Sequence, residues 1–213
     1  MRKLGATRLY KGIYRIVASG RVEHFLYVQI TGRVDREINC LCGMRFENSE
    51  LLAASAVKDF SSPAWKCMDL KEGTLSLARY GLGAILGWDT QTAENLATLS
   101  AGELEARFSE EIRRAWIPIV ERISSVECMR KSLLDDEEPF RWIRSSAVLR
   151  SAQIAYISYR LGISNGQLMT DLLPYQGEII GETSIRTRLD LESYLRELRI
   201  RYSRLVDIAS SSN

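Results

Sequence analysis

The chain has 213 residues, 46% of them hydrophobic and 26% charged, with a net charge of +2 at pH 7. That length can bury a real core, as one large domain or two small ones. No stretch approaches the ~18 uninterrupted apolar residues of a membrane span, and the net charge is too small for a dedicated nucleic-acid binder.

The first residues, Met1-Arg2-Lys3-Leu4-Gly5, are basic but lead into no apolar core, so a signal peptide is not expected and the chain is read as cytoplasmic. Arg8 to Val17 reads as a first strand, closed by turn chemistry at Ala18-Ser19-Gly20-Arg21. His24 to Thr31 is β-branched and aromatic, with Leu26, Val28 and Ile30 alternating onto one face. Ile38, Cys40, Cys42 and Met44 alternate in a third strand.

A helix is expected from an Asn48 N-cap through Leu51, Leu52, Ala56, Val57 and Phe60, ended by Ser61-Ser62-Pro63. Thr74 to Tyr80 alternates and fits a fourth strand. From residue 92 the period becomes helical. Ser100 with Glu103 predicts a capping box, followed by Leu104, Phe108 and Ile112 every four residues. Pro118 either kinks this helix or begins another. Ser124 with Glu127, and Ser164 with Gln167, predict two further capping boxes. Between them a long helix should run from Phe140 to Leu161 and close at Gly162. Pro174 to Gly181 is irregular or a short helix. Leu191, Tyr194, Leu195, Leu198, Tyr202, Leu205 and Val206 form one apolar stripe on a last helix, and Ser210 to Asn213 should fray. Strands first and helices after predict an α+β fold. The expectation is a single domain over 1–213: a small antiparallel meander of three to four strands within residues 1–90, and a helical half over 91–209.

Charge is spread unevenly along this order. Residues 1–36 hold eight Lys/Arg against two acids, 37–138 eleven against eighteen, and 139–213 ten against seven. A basic sheet end and an acidic middle favour a partner recognised electrostatically. Arg8, Lys11, Arg15, Arg21, Arg33 and Arg36, with Tyr10 and Tyr14 among them, suit either a nucleic-acid backbone or a guarded sheet edge, and the second is favoured.

Catalytic signatures are sparse. His24 is the one histidine, so a Ser/His/Asp or Cys/His set would have to use it; an exposed strand-end residue is the expected reading. Gly81-x-Gly83-x-x-x-Gly87 lacks the long helix and the later acid of a dinucleotide site, so no cofactor is expected. Cys40, Cys42, Cys67 and Cys128 lack zinc-knuckle spacing and read as reduced thiols, with no bound metal. Asp135, Asp136, Glu137 and Glu138 form an acidic run beside Phe140 and Trp142. A solvated loop explains the four acids; the neighbouring aromatics make the six residues the expected partner-binding surface.

Three segments carry a resemblance: Leu4-Gly5-Ala6-x-x-Leu9-Tyr10-x-Gly12-Ile13-Tyr14-Arg15, Tyr27-Val28-Gln29-Ile30, and Ile38-Asn39-x-x-x-Gly43. Over about the first sixty residues the chain resembles the opening of a family of uncharacterised bacterial proteins associated with polymorphic-toxin and immunity loci. The resemblance implies a cytoplasmic immunity protein that blocks a cognate toxin by direct binding, and it assigns no catalytic residue. The alternatives are an enzyme using Asp, Glu and Arg chemistry, or a nucleic-acid accessory module.

Overall fold

A computed structural model describes residues 5–10, 13–17, 22–31, 37–47, 49–57, 78–81, 99–135, 147–183 and 190–211. The fold is α+β: an antiparallel sheet followed by a mainly helical half. Two compact units divide the chain, one of Met1–Phe46, Ala78–Met129 and Asp136–Ile143, the other of Glu47–Leu77, Arg130–Asp135 and Arg144–Asn213.

The first unit holds a five-stranded sheet in chain order, β1 (Thr7–Tyr10), β2 (Ile13–Val17), β3 (Val22–Thr31), β4 (Glu37–Phe46) and β5 (Ala78–Gly81). The expected first strand is therefore two. Thr7 faces Arg15 and Tyr10 faces Ile13, so the apolar run doubles back over a two-residue connection, the commonest hairpin length. The expected fourth strand is present from Ala78, antiparallel to β4; residues 74–77 lie outside the described residues.

Period-two alternation puts Val22, His24 and Leu26 on one face of β3, opposite Phe46, Met44 and Cys42 of β4. All but Cys42, whose side chain is not described, are buried. On the other face Glu23 accepts from Arg15 at 2.9 Å and from Arg45 Nε at 2.6 Å, and Arg45 lies 5.0 Å from the Phe25 ring centre. Arg15 is thus committed within the sheet.

The unit continues in α2 (Ala101–Arg122), the label α1 being kept for Ser49–Val57 of the second unit. Ser100 and Glu103 form the expected capping box, and Ile112, Ala115, Trp116, Ile119 and Ile123 make a buried stripe. Pro118 neither ends the helix nor starts another: it sits exposed inside one continuous element. The next helix, α3 (Val126–Asp135), is capped one residue later than expected, because Ser125 Oγ accepts from Cys128 N at 3.2 Å. Its residues 126–129 belong to the first unit and 130–135 to the second.

The second unit is helical, with α1, α4 (Ala147–Arg160), α5 (Asn165–Leu172), a 3-10 turn at Leu173–Tyr175, α6 (Gln176–Glu182) and α7 (Leu191–Ser211). The expected long helix is described from Ala147, and the last helix runs on to Ser211 where fraying was expected from Ser210. Val148, Leu149 and every residue from Ser151 to Ser158 are buried, so α4 is the core about which α1, α5, α6 and α7 pack. Ala53 and Ala56 of α1 are buried, small enough to let that helix approach closely. Leu191, Tyr194, Leu195, Leu198 and Tyr202 of α7 are buried as the stripe required.

Helix ends in this unit are satisfied from neighbouring elements. The Glu182 carboxylate accepts from Val148 N at 3.3 Å at the start of α4. Arg150 donates to Leu133 O and Tyr175 to Leu134 O at the end of α3. Arg201 donates to Ala56 O at 2.8 Å at the end of α1.

Candidate functional site

The expected partner surface is described only at its first residue. Asp135 is the exposed last residue of α3; Asp136, Glu137, Glu138, Phe140 and Trp142 lie outside the described residues.

His24 is not an exposed strand-end residue. It is fully buried, and its Nε2 lies 2.9 Å from Ile123 O, which makes Nε2–H the donor in the neutral ring. It shares parity with Leu26, so the alternation that placed Leu26 inside already placed His24 there. Burial lowers its pKa, only partly offset by the Ile123 bond. No other protein group reaches Nδ1 among the described residues. An imidazole so enclosed is a structural group.

The second unit contains an open feature. A cleft of about 510 Å³ lies between the end of α4, the start of α5 and the middle of α7. Tyr159 and Arg160 come from α4, Ser164 precedes α5, and Arg199, Tyr202 and Ser203 come from α7. Tyr156 contributes a third ring.

Local sequence determines how this cleft opens. Gly162 takes φ +72°, Ile163 N donates to Ser158 O at 2.9 Å and Gly162 N to Tyr159 O at 3.2 Å. This pair of bonds is a Schellman ending, which reverses the chain directly into the next helix. Ser164 Oγ then accepts from Gln167 N at 3.2 Å. The expected third capping box is only half made, because the Gln167 amide reaches forward to Asp171 at 2.8 Å. Asp171 is also paired with Arg130, whose Nε donates to Ser158 Oγ at 2.7 Å. Arg130 therefore braces α4 and α5 on either side of the reversal.

The rings are held by reciprocal bonds. Tyr202 donates to Ala152 O at 2.6 Å, Tyr194 to Val148 O at 2.9 Å, and Tyr159 back to Leu195 O at 3.2 Å. Burial raises the pKa of all three, Tyr159 to about 12 with Arg199 opposing the rise, so all remain donors at neutral pH. The wall is thus rigid as well as aromatic.

The charged groups differ in their commitments. Arg160 pairs with Glu47 at 3.0 Å, and the other oxygen of Glu47 accepts from Tyr156 at 2.8 Å. Arg199 lies 5.9 Å from the Tyr159 ring centre, and it meets no carboxylate among the described residues. No acid lines the cleft among the described residues. By helix geometry the first amides of α5 also point outward at its mouth. A cationic, aromatic hollow of this kind attracts carboxylate or phosphate oxygen.

No single stretch of sequence announced this site. Arg160 reads as an ordinary basic residue in a helix's last turn, and Arg199 as one on the polar face of the last helix. The available signal was aromatic: Tyr156, Tyr159 and Tyr202 each stand one helical turn or less from an arginine.

Among the described residues, no group of three or more His, Cys, Asp or Glu is placed to hold a metal, and no helix is long and apolar enough to cross a membrane. No family model, curated protein or solved structure matches the chain.

Proposed function

We propose that this chain is a non-enzymatic binding protein that receives an acidic segment of a partner protein in the cleft of its helical unit. The observation that carries the reading is the pair Arg160 and Arg199 set among Tyr156, Tyr159 and Tyr202. Arginine and tyrosine are the residues on which protein interfaces concentrate their binding energy. Arg160 and the three tyrosines are already held by Glu47, Leu195 O and Ala152 O, so they have little freedom to lose on binding. The acidic run from Asp135 to Glu138, with Phe140 and Trp142, is a second contact region in this proposal, facing a basic part of the partner. The narrower version, an immunity protein acting on a toxin in the cytoplasm, is supported by the resemblance of the first sixty residues or so.

A photo-crosslinking residue at Ser203, introduced into the full chain in its own host, tests the proposal. One protein should be captured through an acidic peptide, and Arg199→Glu should abolish the capture. Capture that persists in the Arg199→Glu chain, or capture of nothing beyond background, would reject the cleft as a binding surface.

A further inference from the structure

We infer that Glu47 is an internal stand-in for the partner's carboxylate, and that an acidic side chain of a protein segment displaces it from Arg160 on binding. The inference rests on the proposed reading of the cleft and names the chemistry of its occupant.

The backbone supplies the first observation. Among the described residues Glu47 is the one non-glycine with positive φ, at 50°. That region crowds the Cβ of an L-residue and is rarely occupied by glutamate. Residues held in this way cluster where strain serves a site. Here the side chain goes directly to the cleft wall.

The second observation is what Glu47 meets. Its two oxygens are divided between Tyr156 OH at 2.8 Å and Arg160 at 3.0 Å. A hydroxyl and a guanidinium arranged around one carboxylate form a carboxylate receptor, and the chain has filled it from within. The pair is not sealed in: Arg160 is 44% and Glu47 22% exposed at the side chain. Exchange of one carboxylate for another therefore buries no new charge. A half-exposed pair is worth little, so a competitor can displace it.

The third observation is Arg199, across the cleft, with no carboxylate against it among the described residues. An occupant carrying several acids would meet Arg199 first and compete for Arg160 second. A run of acidic side chains offers a separate carboxylate to each arginine.

Fluorescence anisotropy with a labelled hexaglutamate peptide at low salt tests this on the full chain, with hexaglutamine as control and inorganic phosphate as competitor. Glu47→Gln should tighten hexaglutamate binding about threefold to fivefold, the value of a half-exposed ion pair. Tyr156→Phe removes the hydroxyl that holds one oxygen of the Glu47 carboxylate and should move affinity the same way by less, so the inference stays testable if Glu47→Gln folds poorly. Arg199→Gln should weaken binding by about tenfold or more in either background. If Arg199→Gln weakens binding but neither Glu47→Gln nor Tyr156→Phe tightens it, the stand-in role is wrong and the cleft reading stands. If Arg199→Gln and Arg160→Gln both leave binding unchanged, the cleft reading falls as well. If phosphate competes as well as the peptide does, the site takes a small anion and the protein-segment assignment is overturned.

Discussion

The imidazole of His24 has one hydrogen-bond partner, the Ile123 carbonyl at 2.9 Å, and no exposed surface. A second proton would put an N–H on Nδ1, where no protein acceptor stands among the described residues. Burial accordingly lowers its pKa below the ordinary 6.5. Well above pH 6.5 the ring is neutral in both folded and unfolded chains, and its contribution to stability is constant. Below that value the unfolded chain takes up a proton that the folded chain refuses, so stability falls with pH until the lowered folded pKa is reached. The slope is at most about 1.4 kcal/mol per pH unit for this one group. Urea titrations at steps from pH 7.5 to 5 should show that fall, and His24→Gln, which keeps a donor for Ile123 O, should flatten it. Equal slopes in the two proteins would locate the dependence elsewhere. The residue was legible by parity with Leu26, but a polar residue two places into a strand gives no local sign of the helix end that will cover it. Glu47 was less legible still, because positive φ in a glutamate is imposed by tertiary contacts and not by its own preference.

Elements were more readable than residues, since periodicity reports the face a segment buries. The stripe on α7, the capping box on α2 and the glycine ending of α4 all follow from spacing. The splitting of β1 from β2 was hidden, because one alternating run and two short ones joined by two residues have the same composition. The cleft was hidden for a different reason: Arg160 and Arg199 lie far apart in sequence and meet only because α4 packs on α7. Gly162 links the two levels, since the reversal after α4 shapes the mouth of the cleft. A Cβ built at Gly162 meets nothing within 4 Å, so Gly162→Ala costs only its φ of +72°, about 1–2 kcal/mol. Chemical denaturation should return that loss, and Gly162→Asn a smaller one. An unchanged midpoint for Gly162→Ala would mean that the ending relaxes to another geometry.

At the scale of the molecule, chain order separates sheet from helices and basic from acidic segments, and both contrasts were visible in the sequence. Not visible was the division of labour within the helical unit, where one helix is enclosed and the others surround it. Between Val148 and Ser158 every residue of α4 but Arg150 is buried, and its carbonyls at Val148 and Ala152 each accept a tyrosine hydroxyl as well as their helical N–H. The middle of this helix, from Ser151 to Ser158, has no solvent-facing side, whereas the first three residues of α5 are exposed. Deuterium uptake therefore has a definite order. Amides of 150–158 should exchange last and only when the whole helical unit opens, while those at the start of α5 exchange through local opening. Peptide-level mass spectrometry of the native chain would show it: the isotopic envelope over α4 should stay closed long after α5 has filled. Early filling over α4 would mean that this helix opens without its surroundings.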